Sequence, residues 1–248
     1  LVNAIRAQAP TLQASTSARV SVTGDTAVQI DVSNRLSSSL LPFAALVVGL
    51  ALLLLLIKFR SVVVPIKAAV GFLLSIGATL GAVVAVFQWG WLANLFGVSV
   101  TAPVISFLPI ILIAVLFGLA MDYEVFTVSR IREAYLETGQ PTQAVVQGGR
   151  HATRIVTAAA LIMFSVFASF ISTPNATLKT IAFGLAFGVA VDAFIVRMTF
   201  VPAVLALIGR RSWWLPAWLN RIIPNPDSEV LNLEQIPGNA PKGERRVA

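Results

Sequence analysis

Five long apolar runs, at residues 40–57, 62–87, 104–128, 155–171 and 178–208, constrain this chain more than any motif does. Each meets or nearly meets the roughly 17–25 residues that a helix needs to cross the hydrocarbon core of a bilayer. The fourth is the shortest and borrows Thr153 or Ser172 to do so. Only 12% of the residues are charged and 57% are hydrophobic, where a soluble domain carries about a quarter charged residues. The expected fold is an all-α membrane protein whose core is a five-helix transmembrane bundle.

Composition also removes whole classes of chemistry. Cysteine is absent, so neither disulfides nor thiolate metal sites exist, and the single histidine, His151, makes no His-rich cluster. No metal site and no cofactor is expected. The net charge of +7 does not point to nucleic acid, because its distribution is a topology signal. Lys58, Arg60 and Lys67 are counted at the junction of the first and second runs, and Arg130, Arg132, Arg150 and Arg154 between the third and fourth. Arg210, Arg211, Arg221, Lys242, Arg245 and Arg246 follow the fifth. Arg6, Arg19, Arg35 and Lys179 lie on the other side, and Arg197 is inside a run. The positive-inside rule then places the N-terminus outside and the C-terminus in the cytoplasm.

Little surrounds the runs. No basic stretch precedes an apolar one near Leu1, so no signal peptide is read and the chain reads as part of something longer. Residues 1–39 are polar, with a strand-like ARVSV at 18–22, a TGDT turn and a helical pattern from Ala27 that Asp25 or Thr26 caps. They read as the end of an extracytoplasmic domain. The loop 88–102 carries Trp89 and Trp91 but no charge, which suits an outer aromatic belt. Residues 209–223, with Trp213, Trp214 and Trp218 beside Arg210 and Arg211, read as an interfacial amphipathic segment. Residues 224–248 read as a disordered cytoplasmic tail. The third run continues helically through SRIREAYLE and breaks at residues 138–141.

Small residues and acids share stripes. Gly77, Gly81 and Ala85 fall four apart on the second run, Ala114, Gly118 and Asp122 on the third, and Gly184, Gly188 and Asp192 on the fifth. Such rows let helix backbones approach closely. Two of the three end in an aspartate, so both acids are expected to face protein. An intramembrane carboxylate is expensive and by default functional. Tyr123 supplies a hydroxyl beside Asp122 that can orient the acid or relay its proton. Glu124 lies about 200° round the helix from Asp122 and is expected to face elsewhere. Asp192 and Arg197 are candidates for a relay or for a structural ion pair. They stand about 140° apart on an α-helix, and Arg197 alternatively snorkels to the headgroups.

Three strings carry a resemblance: GLAMDYEVFTVSRIREAYLETGQ at 118–140, ATRIVTAAALIMFSVFASF at 152–170 and FGLAFGVAVDAFIVRMTFVPAVLALIGRRSWWLPAWL at 183–219. In order, over roughly residues 20–225, the chain resembles the C-terminal half of the MMPL (mycobacterial membrane protein large) family of the resistance–nodulation–division (RND) transporter superfamily. The resemblance implies twelve spans in two pseudo-repeated halves, each with a large periplasmic α/β domain after its first span. This chain then holds the last five spans, with the end of the second such domain at residues 1–39. It further implies a bacterial inner-membrane exporter of lipids or other amphiphiles, driven by the proton gradient without a cofactor. The family's relay pairs an Asp-Tyr from the fourth helix with one from the tenth, and Asp122 and Tyr123 match the tenth-helix pair. The other pair is absent from these residues, so the N-terminal half is the expected partner, together with membrane lipids and the amphiphile. Monomer and trimer both stay open.

Two other readings compete. Two intramembrane aspartates also suit an aspartyl protease, where the pair shares a proton. AMDY and AVDA replace the expected GxGD loop, however, and the acids differ in depth by about 6 Å if the helices start level. No catalytic residue is therefore assigned, and the protein is not expected to be an enzyme. A sterol-sensing or protein-translocation relative of the same superfamily is the other alternative.

Overall fold

The computed structural model describes residues 1–16, 19, 21–98, 100–216 and 219. The helices are α1 (Val2–Thr16), α2 (Asp25–Phe59), α3 (Val63–Val83, widening to a π-turn at Val84–Gln88), a short α4 (Ala93–Phe96), α5 (Leu108–Thr138), α6 (Pro141–Ser169), α7 (Ala176–Ala190) and α8 (Val201–Ile208). A π-helix, Val191–Phe200, joins α7 to α8 without a break. Five stretches are long and apolar enough to span: Asp25–Phe59, Val63–Gln88, Leu108–Thr138, Ala152–Ser172 and Ala176–Ile208. The fold is an all-α membrane bundle.

The N-terminal region differs from its sequence reading. Ala4, Ala7, Ala9, Leu12 and two glutamines are strong helix formers, and residues 2–16 are helical. Among the described residues there is no strand: 19 and 21–23 have no regular structure, while 18 and 20 of the strand-like segment lie outside the described residues. An α/β domain is thus not seen at residues 1–39. Nor does Asp25 or Thr26 cap α2. Gly24, at φ 117°, is the N-cap, and Asp25 is the first helical residue, where its charge complements the helix dipole. Arg6 holds Asp31 by a two-pronged ion pair, with Nη2 donating to Oδ2 at 2.8 Å.

At the other end the turns are tightly fastened. Arg60 adopts φ 48° and ends α2, and Arg132 donates to the carbonyls of Phe59 (3.0 Å) and Lys58 (3.4 Å). Ser61 donates to the Ser212 carbonyl at 2.6 Å, and both serines are buried. Trp213 stacks on Tyr135 with ring centroids 5.9 Å apart. Residues 209–214 therefore fold under the bundle. Trp214 is exposed; Trp218 and the expected tail 224–248 lie outside the described residues. Gly139, at φ 64°, closes α5, and Pro141 opens α6. A Cβ on Gly148 would lie 2.5 Å from the Arg130 carbonyl oxygen, so α5 and α6 cross at backbone contact.

Burial is concentrated in α3, α5 and the α7–π–α8 helix, whereas few residues are fully buried in the apolar stretches of α2 and α6. The register of α3 against the last helix follows from its glycines. A Cβ on Gly71 would lie 2.8 Å from Val196, and one on Gly188 would lie 3.0 Å from Thr79. Stepping one turn along each antiparallel helix sets Ser75 level with Asp192. The same step in α5 makes Leu108, Leu112, Leu116, Ala120, Glu124 and Val128 one buried row.

Candidate functional site

That row delivers a carboxylate to the core. Glu124 is 2% exposed, beside Asp192 and Arg197 (each 5%) from the π-helix and Lys67 (4%) from α3. Lys67 Nζ donates to Glu124 Oε1. Arg197 donates through Nη1 to Glu124 Oε2 (3.2 Å), through Nε to Asp192 Oδ2 (2.7 Å) and through Nη2 to the Ala120 carbonyl. Its guanidinium carbon lies 5.6 Å from the centroid of the Tyr123 ring, within cation–π range. The cavity among these side chains is about 10 Å³, at the lower limit for one water. Two cations and two acids here neutralise one another without solvent.

Helix geometry explains why Asp192 and Arg197 meet. On an α-helix they would diverge, but Val191–Phe200 is a π-helix, whose i→i+5 repeat stacks residues five apart on one face. Thr199 Oγ1, which bonds the Phe194 carbonyl at 3.3 Å, follows the same spacing. Arg197 therefore does not snorkel. It serves Asp192 and Glu124 at once.

Asp122 takes the opposite position. Positions 122 and 124 lie on opposite faces of α5, and Glu124 holds the buried one. Asp122 is exposed with Ala114 and Gly118, and among the described residues it makes no ion pair. Tyr123 is partly buried between the two acids. The expectation that both aspartates face protein thus holds within this chain for Asp192 alone. Glu124 does face away from Asp122, as expected, but it faces the bundle interior, because the i, i+4 row of large apolar residues, not the row of small ones, packs inward. Lys67 is likewise no loop cation: it lies inside α3 and is buried.

The glycines divide in the same way. A Cβ on Gly184 would lie 2.9 Å from Leu112, and one on Gly188 would lie 2.5 Å from Leu116. At Gly77, Gly81 and Gly118 a Cβ would meet nothing within 4 Å, so these three do not mediate packing within this chain. Sequence reasoning missed Lys67 and Glu124. Both lay on readable i, i+4 rows, Lys67 with Gly71, Ser75, Thr79 and Val83. Among the described residues no group of acids and histidines has the arrangement of a metal site. Asp192, tied to Arg197, and Asp122, exposed on the far side of α5, do not form the shared-proton dyad of an aspartyl protease.

Comparison with known proteins adds what geometry does not. A family model described as the MMPL family matches residues 1–227. The chain is 52% identical over 208 residues to the membrane protein YdfJ of Bacillus subtilis, covering 84% of this chain and 29% of that one. It is 42% identical over 210 residues to the heme uptake protein MmpL11 of Mycobacterium tuberculosis (85% and 22% covered). It is 38% identical over 242 residues to the mycolic acid-containing lipids exporter MmpL11 of Mycolicibacterium smegmatis (95% and 25% covered). The chain therefore spans between about a fifth and a third of the length of these curated relatives.

Proposed function

This chain belongs to the MMPL family of the RND superfamily, and we propose that it is the C-terminal transmembrane part of a proton-driven exporter of lipids or other amphiphiles. In this reading Asp122 and Tyr123 are one half of an intramembrane proton relay, and the rest of the parent protein supplies the other half. The proton gradient is the energy source, with no cofactor and no enzymatic step. Residues 1–39 are the end of an extracytoplasmic domain, 40–208 the membrane unit and 209–223 an interfacial segment. The parent lies in a bacterial inner membrane, with the N-terminus of this chain outside and its C-terminus in the cytoplasm.

One observation carries the choice of acid. A proton carrier must change charge during the cycle, and removing one charge from a dry ion cluster strands its partner at a cost of several kcal/mol. Glu124 and Asp192 are fixed in such a cluster, whereas Asp122 stands outside it. Asp122 lies on the small-residue row, which admits a close helix. Protonating it lets one group of helices shift against another, the two-state element that transport requires.

The test uses the full-length parent in vesicles with an imposed pH gradient. Asp122→Asn keeps shape and hydrogen bonding but cannot titrate, so expression persists while gradient-driven lipid efflux stops. Retained efflux in Asp122→Asn with loss in Asp192→Asn would identify the wrong carboxylate. Heme uptake, the second reading, is motivated by the name of one relative and is tested separately, by following heme entry into cells that carry the parent. For topology, a single cysteine at position 140 should resist an impermeant thiol reagent added outside intact cells. Labelling there would reverse the orientation.

A further inference from the structure

Resting on that relay reading, we infer that Lys67, Glu124, Asp192 and Arg197 form a charge-balanced clamp that holds the Tyr123 ring in place beside Asp122. Lys67 is then a positioning residue for Tyr123, acting through Glu124 and Arg197. The contacts run in series: Lys67 binds one oxygen of Glu124, Arg197 binds the other, and Arg197 covers the Tyr123 ring. A guanidinium is a planar fork, and this one is held in three directions, by Asp192, Glu124 and the Ala120 carbonyl. Its plane over Tyr123 is therefore set by three partners on two helices.

Lys67 enters this balance from a third helix. Without it, the full charge of Glu124 competes with Asp192 for Arg197 and draws the guanidinium along α5, away from its present seat on Tyr123. If Glu124 is neutralised at the same time, Arg197 and Asp192 remain a balanced pair and the seat is kept. The charged groups around Tyr123 are Asp122 and Glu124 on α5, Asp192 and Arg197 on the π-helix and Lys67 on α3.

The experiment places 3-fluorotyrosine at position 123 of the full-length parent and follows its fluorine resonance at one fixed pH below the ionisation of the fluorophenol, with thermal unfolding in detergent alongside. Lys67→Met is expected to displace the resonance, because Arg197 leaves its seat on the ring. Lys67→Met/Glu124→Gln and Lys67→Arg are expected to keep the parental resonance. A merely structural lysine would lower stability without displacing the resonance. If either single variant fails to fold, the double variant decides. Folded with the parental resonance it supports the clamp; unfolded, or folded with a displaced resonance, it overturns it. An unmoved resonance in folded Lys67→Met also overturns it. Asp122→Asn with the same label separates the two readings. Gradient-driven efflux retained in Asp122→Asn defeats the relay, while the displacement of its resonance by Lys67→Met still tests the clamp.

Discussion

The two faces of α5 carry the same kind of group under opposite conditions. One face is the row from Leu108 to Val128, in which Glu124 is enclosed and matched by Lys67 and Arg197. The other is the row Ala114, Gly118 and Asp122, exposed in this chain and without a cation on its acid among the described residues. A carboxylate between packed helices is held by its partners; one on an open row of small residues is available to whatever helix comes against it. Burial therefore marks the acid that fastens these helices, and openness marks the acid to which the proposed relay assigns the proton.

The sharpest way to break this contrast is to remove each acid and measure stability. Glu124→Ala in the full-length parent is expected to lower stability by about 3–5 kcal/mol, because it strands buried Lys67 and Arg197. Asp122→Ala is expected to cost less than about 1 kcal/mol by the same thermal unfolding in detergent. Equal losses would erase the distinction between the faces. Bulk separates the faces next. Gly188→Leu drives atoms into Leu116 and Thr79 and should cost about 1–3 kcal/mol. A Cβ at Gly118 would meet nothing within 4 Å, so Gly118→Leu should spare the packing of these helices while blocking efflux in the parent. If Gly118→Leu transports normally, no helix packs closely on that row.

A smaller effect is expected at Tyr123. Phenylalanine keeps a ring under Arg197 and loses only the hydroxyl, so Tyr123→Phe should reduce efflux without abolishing it, with stability unchanged. Water can stand in for a hydroxyl more easily than anything can stand in for the acid. Smallest of all is Ser75→Ala. The Ser75 hydroxyl is buried without a hydrogen-bond partner among the described residues, and deleting an unsatisfied group is neutral or stabilising by up to about 1 kcal/mol. A clear loss of stability there would reveal a partner level with Asp192.

The spans were legible because length and apolarity are properties of the run itself. Each of the five runs matches one long apolar helix, although α5 begins at Leu108 and not at 104, and the break after Thr138 follows from Gly139 and Pro141. Helix α1 was readable from its alanines but was obscured by the β-branched residues that follow it. The charge cluster was harder. Two rows of α5 were compatible with a helix interface, one of large residues and one of small, and sequence alone does not say which neighbour each row meets. Lys67 sits a few residues past a turn, where a cation also suits the headgroup region. The pairing of Asp192 with Arg197 rests on a π-helix, and nothing in VDAFIVRMTF distinguishes that geometry from an ordinary turn of α-helix.

Helix α2 has a mechanical consequence. Its 35 residues make a rod of about 52 Å, well beyond the roughly 30 Å of hydrocarbon. Counting the apolar run from residue 40, about 22 Å of it stands clear of the bilayer, braced near its tip where Arg6 grips Asp31. A tilt of about 10° within the membrane would sweep that tip by roughly 4 Å. Pro42 sits where the rod leaves the lipid, the one place in α2 where proline removes a rung of the hydrogen-bond ladder. The rod is thus an arm with its elbow at the membrane surface. Its stiffness at Pro42 decides whether motion below arrives above as displacement or is spent as bending.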